Sequence, residues 1–391
     1  MYRNTYLEID ENILKQNIKE IRKKYSDYKY YFGVVKANCY GHGTYCVKAL
    51  KEGGVNYFAT SSLEEAIDVR VYDKKTPILC LEPIPAKYID VILENDVTVT
   101  ISSVNLALEY SKLNLKKKLN VHIKLDTGMS RLGVKSKQEL EKVVEALESN
   151  SNIFIEGVFT HFATNGIYDV YYDRQVNKFK ELLSYLDVDK IPIIHCGGSL
   201  MLVNHKKLEF VNGIRLGIIM YGINLSMKKR SGIKAYLSEI KRNHFLKKYN
   251  VSESIRYNDL KVKTAMKLYS EIIEIKKLKK GEVVGYGATF EAKEDMIIGI
   301  VPIGYADGVT NKMGCVSISK EKCPIVGNIC MDMTFVVIND KVKLHDKVEF
   351  FGDNIRIDEV LRKTGSNAYH LFTDITNRVP RVYQDLTEIK Y

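Results

Sequence analysis

The chain lacks any long hydrophobic run. None of its apolar stretches reaches about eighteen residues, roughly the shortest length that spans a bilayer as a helix. The first residues, MYRNTYLEIDENILKQ, also lack the apolar core of a secretory signal peptide. The seven cysteines, an odd number at scattered positions, do not resemble a disulfide framework. We therefore expect a chain that works in the reducing cytoplasm and has no membrane segment.

Two nucleotide-binding signatures are absent as well. Neither G-x-G-x-x-G nor G-x-x-x-x-G-K-[ST] follows any apolar run, which disfavours the usual nucleotide-binding folds. What is present is ordinary for a globular protein, with 45% hydrophobic and 27% charged residues. Because one hydrophobic core seldom accommodates 391 residues, we expect two domains.

The positive charge is concentrated in one segment. The formal net charge is +11, and residues 228–263 contain eleven Lys and Arg against three Asp and Glu. We interpret this basic segment as a solvated linker between the domains. Its aromatic residues could also stack on bases, which leaves a nucleic-acid contact as an alternative that a salt-dependent affinity would reveal. The main partners are expected to be a small molecule and no nucleic acid.

Short apolar runs alternate with helical patterns in the first part of the chain. Apolar residues recur at intervals of three and four in residues 62–72, 137–149 and 173–186, and Asp10 is a plausible N-cap for a helix before the first run. This alternation predicts an α/β fold, a (β/α)8 TIM barrel, with a doubly wound open sheet as the alternative. The eight predicted strands are residues 30–36, 57–61, 77–82, 97–102, 121–126, 155–162, 191–196 and 210–218.

After residue 263 the helical patterns give way to consecutive strand patterns. Turns such as KKGE and FGDN separate these strands, which predicts a C-terminal mostly-β domain. We place the barrel in residues 1–235 and the β domain in residues 236–391, with the basic segment at the boundary.

Polar residues follow the predicted barrel strands, where barrels carry their chemistry. A lysine in apolar surroundings loses its proton more easily and can attack an aldehyde. The loops after the last two strands, where barrels often bind phosphate, contain Ser199 and Gly217. A lysine, a phosphate site and an arginine together indicate pyridoxal 5′-phosphate as cofactor. The residues concerned are Lys36, Tyr40, Arg131, His161, His195, Gly198, Ser199, Arg215, Gly217 and Ile218.

Eight motifs, in order and nearly from end to end, give the chain a strong resemblance to a known family. It resembles the alanine racemases, which combine a pyridoxal-phosphate barrel with a β domain. The motifs are VVKANCYGHG (34–43), IKLDTGMSRLGV (123–134), FTHFAT (159–164), RLGIIMYG (215–222), GYGATF (285–290), VPIGYADG (301–308), VGNICMDMTFV (326–336) and RVPRVY (378–383).

The resemblance implies a racemase with two bases on opposite faces of the substrate Cα. Lys36 would hold the cofactor and exchange a proton on one face, and Tyr286 would do so on the other. Neighbouring groups such as His195 and Arg215 would lower the pKa of the Tyr286 phenol. In the family Tyr286 comes from the partner subunit, so the resemblance also implies a homodimer with shared active sites.

The other site residues are implied by the same resemblance. Arg215 would face the pyridine nitrogen with support from His161, and Arg131 would bind the phenolic oxygen of the cofactor. Lys124 occupies a position that is often carbamylated, and no metal is implied. Tyr40, Ser199, Gly217 and Ile218 would hold the phosphate, and Tyr305, Met331, Asp332 and Asn377, together with Arg131, would shape the substrate site.

Three positions depart from the family pattern. Cys39 replaces an alanine and Gly198 replaces an asparagine, both mild changes. Asn377 stands where several relatives have tyrosine, and in this it resembles the serine racemases of vancomycin-resistance systems. The family resemblance makes D-alanine, for the peptidoglycan of the cell wall, the expected product. Asn377 leaves a serine or dual alanine/serine racemase linked to antibiotic resistance as the alternative.

Three other functions are alternatives to the racemase. A pyridoxal-phosphate decarboxylase has the same two domains, but GYGATF and the MDM segment favour the racemase. A non-catalytic pyridoxal-phosphate carrier is usually a single barrel. Zinc binding by Cys39, His42 and Cys46 offers only three ligands, and the family motif explains His42 as part of a turn.

Overall fold

A computed structural model of the chain describes residues 3–165, 170–225 and 259–383, with single positions between 232 and 248. The predicted domain boundary at 235/236 and most of the basic segment 228–263 lie outside the described residues. Within the described ranges, no helix combines the length and the apolar character that crossing a bilayer requires.

Strand β1 (Tyr6–Ile9) precedes a closed barrel of eight parallel strands. The barrel closes because its last strand pairs with its first, with Phe32 opposite Arg215. The predicted (β/α)8 barrel is therefore confirmed, and its eight strands are those expected from the apolar runs. They are β2 (Tyr30–Val34), β3 (Tyr57–Thr60), β4 (Ile78–Cys80), β5 (Val97–Ile101), β6 (Leu119–Lys124), β7 (Ile153–Phe159), β8 (Ile193–Cys196) and β9 (Gly213–Leu216).

Four helices of the barrel begin at side chains that cap them. Asp10 accepts a hydrogen bond from the Ile13 N–H at 2.9 Å, which confirms it as an N-cap. Ser62, Ser103 and Ser136 cap later helices in the same way. The helices are α1 (Glu11–Lys24), α2 (Lys36–Tyr40, which is a left-handed turn), α3 (Val47–Gly53), α4 (Leu63–Tyr72), α5 (Ile89–Glu94), α6 (Val104–Ser111), α7 (Lys137–Glu148), α8 (Val170–Leu183) and α9 (Ser199–Asn204).

The second domain is mostly β, as predicted, and its described residues include two short α-helices. Its large sheet has the strand order β11-β14-β17-β16-β15-β18-β10-β1-β19, and β12 and β13 form a separate hairpin. The elements are β10 (Met266–Glu271), β11 (Glu274–Leu278), β12 (Val283–Val284), β13 (Phe290–Glu291), β14 (Met296–Val301), β15 (Cys315–Ile318), β16 (Glu321–Val326), β17 (Thr334–Ile338), β18 (Lys347–Phe351), α10 (Ile357–Thr364), α11 (Ala368–Asp374) and β19 (Arg381–Tyr383).

Strand β1 connects the two domains. It pairs antiparallel with β10 and parallel with β19, so the start of the chain lies in the sheet of the second domain. From β19, the buried Arg381 donates from Nε to the Gly41 carbonyl at 2.9 Å. Tyr383 donates to the His42 carbonyl at 3.0 Å. The C-terminal strand thus holds the loop that follows the first barrel strand.

Candidate active site

A cavity of ≈ 460 Å³ lies at the carboxyl ends of the barrel strands. Its lining includes two lysines and two arginines, namely Lys36, Lys124, Arg131 and Arg215. None of its described lining residues is Asp or Glu. Such a site attracts an anion. The remaining lining residues are Val34, Ala37, Tyr40, Leu81, Leu132, Phe159, His161, Gly197, Gly198, Ser199, Gly217, Tyr369 and Thr373.

Lys36 lies where strand β2 ends and a left-handed turn begins. Ala37, Asn38, Cys39 and Tyr40 all have φ near +52°, and each such residue costs about 1–2 kcal/mol relative to a right-handed conformation. Surrounding bonds hold the turn, since the Ala37 N–H donates to Glu65 at 2.7 Å. These bonds maintain the strained turn, and the turn places the half-buried Lys36 at the wall of the cavity.

One end of the cavity carries hydroxyls and backbone N–H groups. The Gly217 N–H donates to the Ser199 hydroxyl at 3.1 Å, and the Ile219 N–H lies 3.3 Å from the same oxygen. A Cβ at position 217 would lie 2.9 Å from the Tyr40 hydroxyl, so only glycine leaves room here. This end suits a phosphate group. The Ile218 side chain is buried in the core, so it could contribute only its backbone.

Arg215 is buried and makes three hydrogen bonds to its neighbours. Its guanidinium contacts His195 Nδ1 at 2.8 Å and His161 Nδ1 at 3.0 Å, and it donates to the Thr160 carbonyl at 2.7 Å. Burial, followed by the charge of Arg215, lowers the pKa of His161 to about 3 and that of His195 well below its usual range. Both imidazoles are therefore neutral acceptors towards a charged arginine.

Burial lowers the pKa of Lys124, a lysine that lines the cavity. Its side chain is buried, and it donates to the Leu125 carbonyl at 2.8 Å. Desolvation, and then the charges of Arg215 and Arg131, lower the pKa of Lys124 to about 7, against the opposing charge of Asp126. The Asp126 carboxylate accepts from the N–H groups of Gly128, Met129 and Ser130, which shapes the loop that leads to Arg131.

Several predicted residues lie outside this cavity. Tyr286 belongs to the second domain and is 74% exposed, and Tyr305 and Met331 are also exposed. Tyr305 and Met331 belong to adjoining segments, because the Tyr305 N–H donates to the Cys330 carbonyl and the Ala306 N–H to Met331. Asp332 forms a 2.6 Å ion pair with Arg378. Within one chain, then, the predicted second base is not brought to the cavity that contains Lys36.

Asn377 is exposed and lines a neighbouring cavity of ≈ 290 Å³, together with Asn38 of the left-handed turn. The phenol that lines the Lys36 cavity from the second domain is instead Tyr369, whose ring centroid lies 6.0 Å from that of Tyr40. Tyr369 and Thr373 were not predicted as site residues, since both lie on a short helix in a domain whose sequence pattern is otherwise β. No local signal identifies them.

The imidazole of His42 contacts the backbone of the turn that follows Lys36. Its Nδ1 lies 3.0 Å from the Tyr40 carbonyl and 3.1 Å from that of Cys39, and the ring packs 4.4 Å from that of Tyr221. Burial lowers the pKa of His42 to about 3. The histidine therefore serves as a structural part of the loop.

Both domains match known families. The family profile "Alanine racemase, N-terminal domain" matches residues 9–225, and "Alanine racemase, C-terminal domain" matches residues 265–383. Alanine racemase 1 of Bacillus subtilis is 34% identical over 390 residues, which is 98% of this chain and 93% of the relative.

Solved structures give the same result. The alanine racemase of Bacillus anthracis, solved with bound L-Ala-P, is 30% identical with a TM-score of 0.84, covering 100% of this chain and 97% of the other. That of Bartonella henselae, which has covalently bound pyridoxal phosphate, is 22% identical with a TM-score of 0.78 over 97% and 99% of the two chains, and it supports the fold alone. These matches favour a racemase over the decarboxylase and carrier alternatives. The chain belongs to the alanine racemase family of isomerases.

Proposed function

We propose that this chain interconverts L- and D-alanine with pyridoxal 5′-phosphate bound in the barrel cavity. The observation that carries the proposal is a cavity at the carboxyl ends of the barrel strands that contains two lysines and two arginines and, among its described lining residues, no carboxylate. D-Alanine would supply peptidoglycan synthesis. The seven cysteines are all unpaired, which suits the cytoplasmic location that we propose.

The residues present fit the cofactor. The hydroxyls of Tyr40 and Ser199 and the Gly217 N–H would hold its phosphate, Lys36 would form the covalent link to its aldehyde, and Arg131 would contact its phenolic oxygen. When bound, the cofactor withdraws electrons from the substrate Cα and so makes the Cα proton acidic. Arg215, which can only donate hydrogen bonds, would face the pyridine nitrogen and keep it unprotonated.

Two groups of the protein would move the Cα proton. Lys36 would exchange it on one face, and the phenol of Tyr286 on the other, because inversion requires removal and return from opposite sides. Tyr286 is exposed and lies outside the Lys36 cavity of its own chain. We therefore propose a homodimer in which each chain provides Tyr286, with Tyr305, Met331 and Asp332, to the cavity of its partner.

Lys124 is proposed to carry a carbamate. Its pKa of about 7 leaves much of the amine neutral at physiological pH. The neutral nitrogen can form an N–C bond with carbon dioxide, releasing one proton. The resulting anion would lie among Arg131, Arg215 and Lys36, where a negative charge is otherwise missing from the described lining residues.

We expect the fraction of Lys124 that carries a carbamate to increase as pH rises through about 7. The folded-state pKa of Lys124 is lowered to about 7, so the neutral amine accumulates above that pH. Isotopically labelled bicarbonate should give a carbamate carbonyl signal in NMR spectra of the holoenzyme. The signal should vanish in Lys124→Gln and persist in Lys142→Gln, which alters an exposed lysine of α7. A signal that survives in Lys124→Gln, or none in wild type, would refute the modification.

Serine is a second candidate substrate because of Asn377. Asn377 lines a cavity together with Asn38 of the turn that follows Lys36, at a position where the family resemblance implies a tyrosine in several relatives. Asn is smaller and offers both donors and an acceptor to a substrate hydroxyl. We therefore propose alanine as the main substrate, with appreciable serine racemisation.

The function is tested by following the racemisation of L-alanine and L-serine side by side with chiral chromatography. Alanine turnover is expected, and its absence in protein loaded with the cofactor would overturn the proposal. Asn377→Tyr is expected to lower kcat/KM for serine by about 10-fold or more while alanine changes little. Asn377→Leu, which removes the amide without adding a phenol, is the control. Equal losses for both substrates would exclude a specificity role for Asn377.

A further inference from the structure

A line of buried polar side chains runs from the cavity into the interior of the barrel. Arg215 contacts His195 Nδ1 at 2.8 Å, His195 Nε2 lies 3.0 Å from His122 Nδ1, and His122 Nε2 lies 3.1 Å from Glu156 Oε2. Both histidines are fully buried, and the Glu156 side chain is 17% exposed. Glu156 precedes the cavity residue Phe159 by three positions on β7, a distance of roughly 10 Å along the strand.

The direction of every hydrogen bond in this line follows from its two ends. Arginine has no acceptor, so His195 must accept at Nδ1 and carry its proton on Nε2. That proton can be donated only if His122 accepts at Nδ1, which places the His122 proton on Nε2. A carboxylate only accepts, so Glu156 accepts the hydrogen bond that His122 donates from Nε2. Arg215 and Glu156 together therefore select one tautomer for each imidazole.

The strand that contains Glu156 is shaped to bring the carboxylate into the barrel. Ile155 pairs with Val121 and Gly157 pairs with His122, so Glu156 is an extra residue at this point, a β-bulge in β7. Bulges redirect a side chain that would otherwise face the other side of the sheet. Gly157 follows Glu156, and a Cβ at Gly157 would lie 2.6 Å from the His122 ring. The lack of a side chain at Gly157 therefore leaves space for the His122 imidazole.

The neighbouring side chains hold the line in place. The His195 ring is stacked between Phe32 at 4.4 Å and Phe159 at 4.7 Å, so its plane cannot turn. Glu156 also accepts from the Tyr57 hydroxyl at 2.7 Å and is 3.4 Å from the Asn120 amide nitrogen. With the ring planes fixed by packing, the remaining freedom of the histidines is the choice of tautomer.

We propose that Glu156 is a positioning residue for Arg215, acting through the tautomers of His122 and His195 from the interior of the barrel. If His122 lost its acceptor, its proton could move to Nδ1 and face the proton of His195. His195 would then have to place its proton on Nδ1, against the Arg215 guanidinium. Arg215 would lose one of its three partners, so its orientation would be less tightly fixed. The consequence for turnover rests on the proposed function, whereas the tautomers do not.

The first test measures the tautomers in the wild-type protein. Long-range proton–nitrogen NMR spectra of histidine-labelled holoenzyme, assigned by single histidine variants, should show both His122 and His195 neutral with the proton on Nε2. A proton on Nδ1 of either ring, or a doubly protonated ring, would overturn the proposal. This measurement stands even if the chain proves to have another substrate.

The second test removes the acceptor. Glu156→Leu is expected to change the tautomer of His122, His195 or both, and to lower kcat for alanine by about 10–100-fold, the range seen when the hydrogen-bonding partners of metal-bound histidines are lost. KM should change much less, because Glu156 does not reach the cavity. Glu156→Gln, whose amide oxygen can still accept from His122, should retain more activity than Glu156→Leu.

The control is Glu145→Gln, which removes an exposed carboxylate from α7 and should leave spectra and kinetics unchanged. Thermal unfolding would report whether each variant folds. Altered tautomers with an unchanged kcat would show that the line only satisfies buried polar groups. Unchanged tautomers in a folded Glu156→Leu protein would show that Glu156 does not set them, and either result overturns the proposal.

Discussion

Equal amounts of Lys36→Ala and Tyr286→Phe protein, each nearly inactive alone, are expected to recover about one quarter of wild-type alanine racemisation after subunit exchange. Half of the dimers formed at random contain one chain of each kind. In such a dimer, one cavity combines the intact Lys36 of the Tyr286→Phe chain with the intact Tyr286 of its partner. The other cavity lacks both groups.

The expectation follows from where the two side chains lie. Lys36 lines the barrel cavity, whereas Tyr286 is 74% exposed on the second domain and does not line that cavity. A side chain that must reach the substrate Cα cannot do so from this position within its own chain. Loss of a proton-transferring group typically lowers turnover by about 10²–10⁴-fold, so either variant alone gives a low background.

Variants that share a position provide the control. Lys36→Ala mixed with Lys36→Arg cannot produce a cavity with an intact lysine, and this mixture should stay inactive. Differently tagged chains would show that mixed dimers have formed. If mixed dimers of Lys36→Ala and Tyr286→Phe formed without recovery, the two bases would have to come from one chain, and the shared-site proposal would fail.

The barrel was predictable because its strands are buried on both faces. Parallel strands covered by helices read as continuous apolar runs, and YYFGVVK and VHIKLD are such runs. The polar residues that end them therefore stood out, and Lys36, His161 and Arg215 all line one cavity. Local pattern and function coincide here because barrels place their chemistry at strand ends.

Other features depend on contacts between residues that are far apart in the sequence. Strand β1 pairs with β10 and β19, which follow it by more than two hundred residues, and nothing in its local pattern specifies those partners. Glu156 resembles an ordinary outward-facing residue until the bulge against β6 is seen. His122 did carry a signal, since a polar residue two positions before Lys124 on a buried strand must point to the same side.

Arg215→Glu is expected to lower alanine racemisation by about 10²–10³-fold and to raise the amount of pyruvate formed per racemisation event. The guanidinium can only donate hydrogen bonds, so it favours a pyridine nitrogen that accepts them. A carboxylate at the same place accepts, and so would stabilise a protonated nitrogen. When bound, a cofactor whose ring is protonated would favour transfer of the substrate's amino group to the cofactor, and addition of water would release the remaining carbon skeleton as pyruvate.

The buried setting of Arg215 makes this substitution effective and also requires controls. Desolvation lowers the pKa of Arg215 to about 10, which still leaves it charged at neutral pH, and three neighbours depend on its N–H groups. Arg215→Lys retains the charge but not the planar fork, so it should lie between wild type and Arg215→Glu. Arg174→Glu makes the same charge change on an exposed face of α8 and should racemise normally. A folded Arg215→Glu protein with a wild-type ratio of pyruvate to racemised alanine would show that Arg215 does not control the pyridine nitrogen.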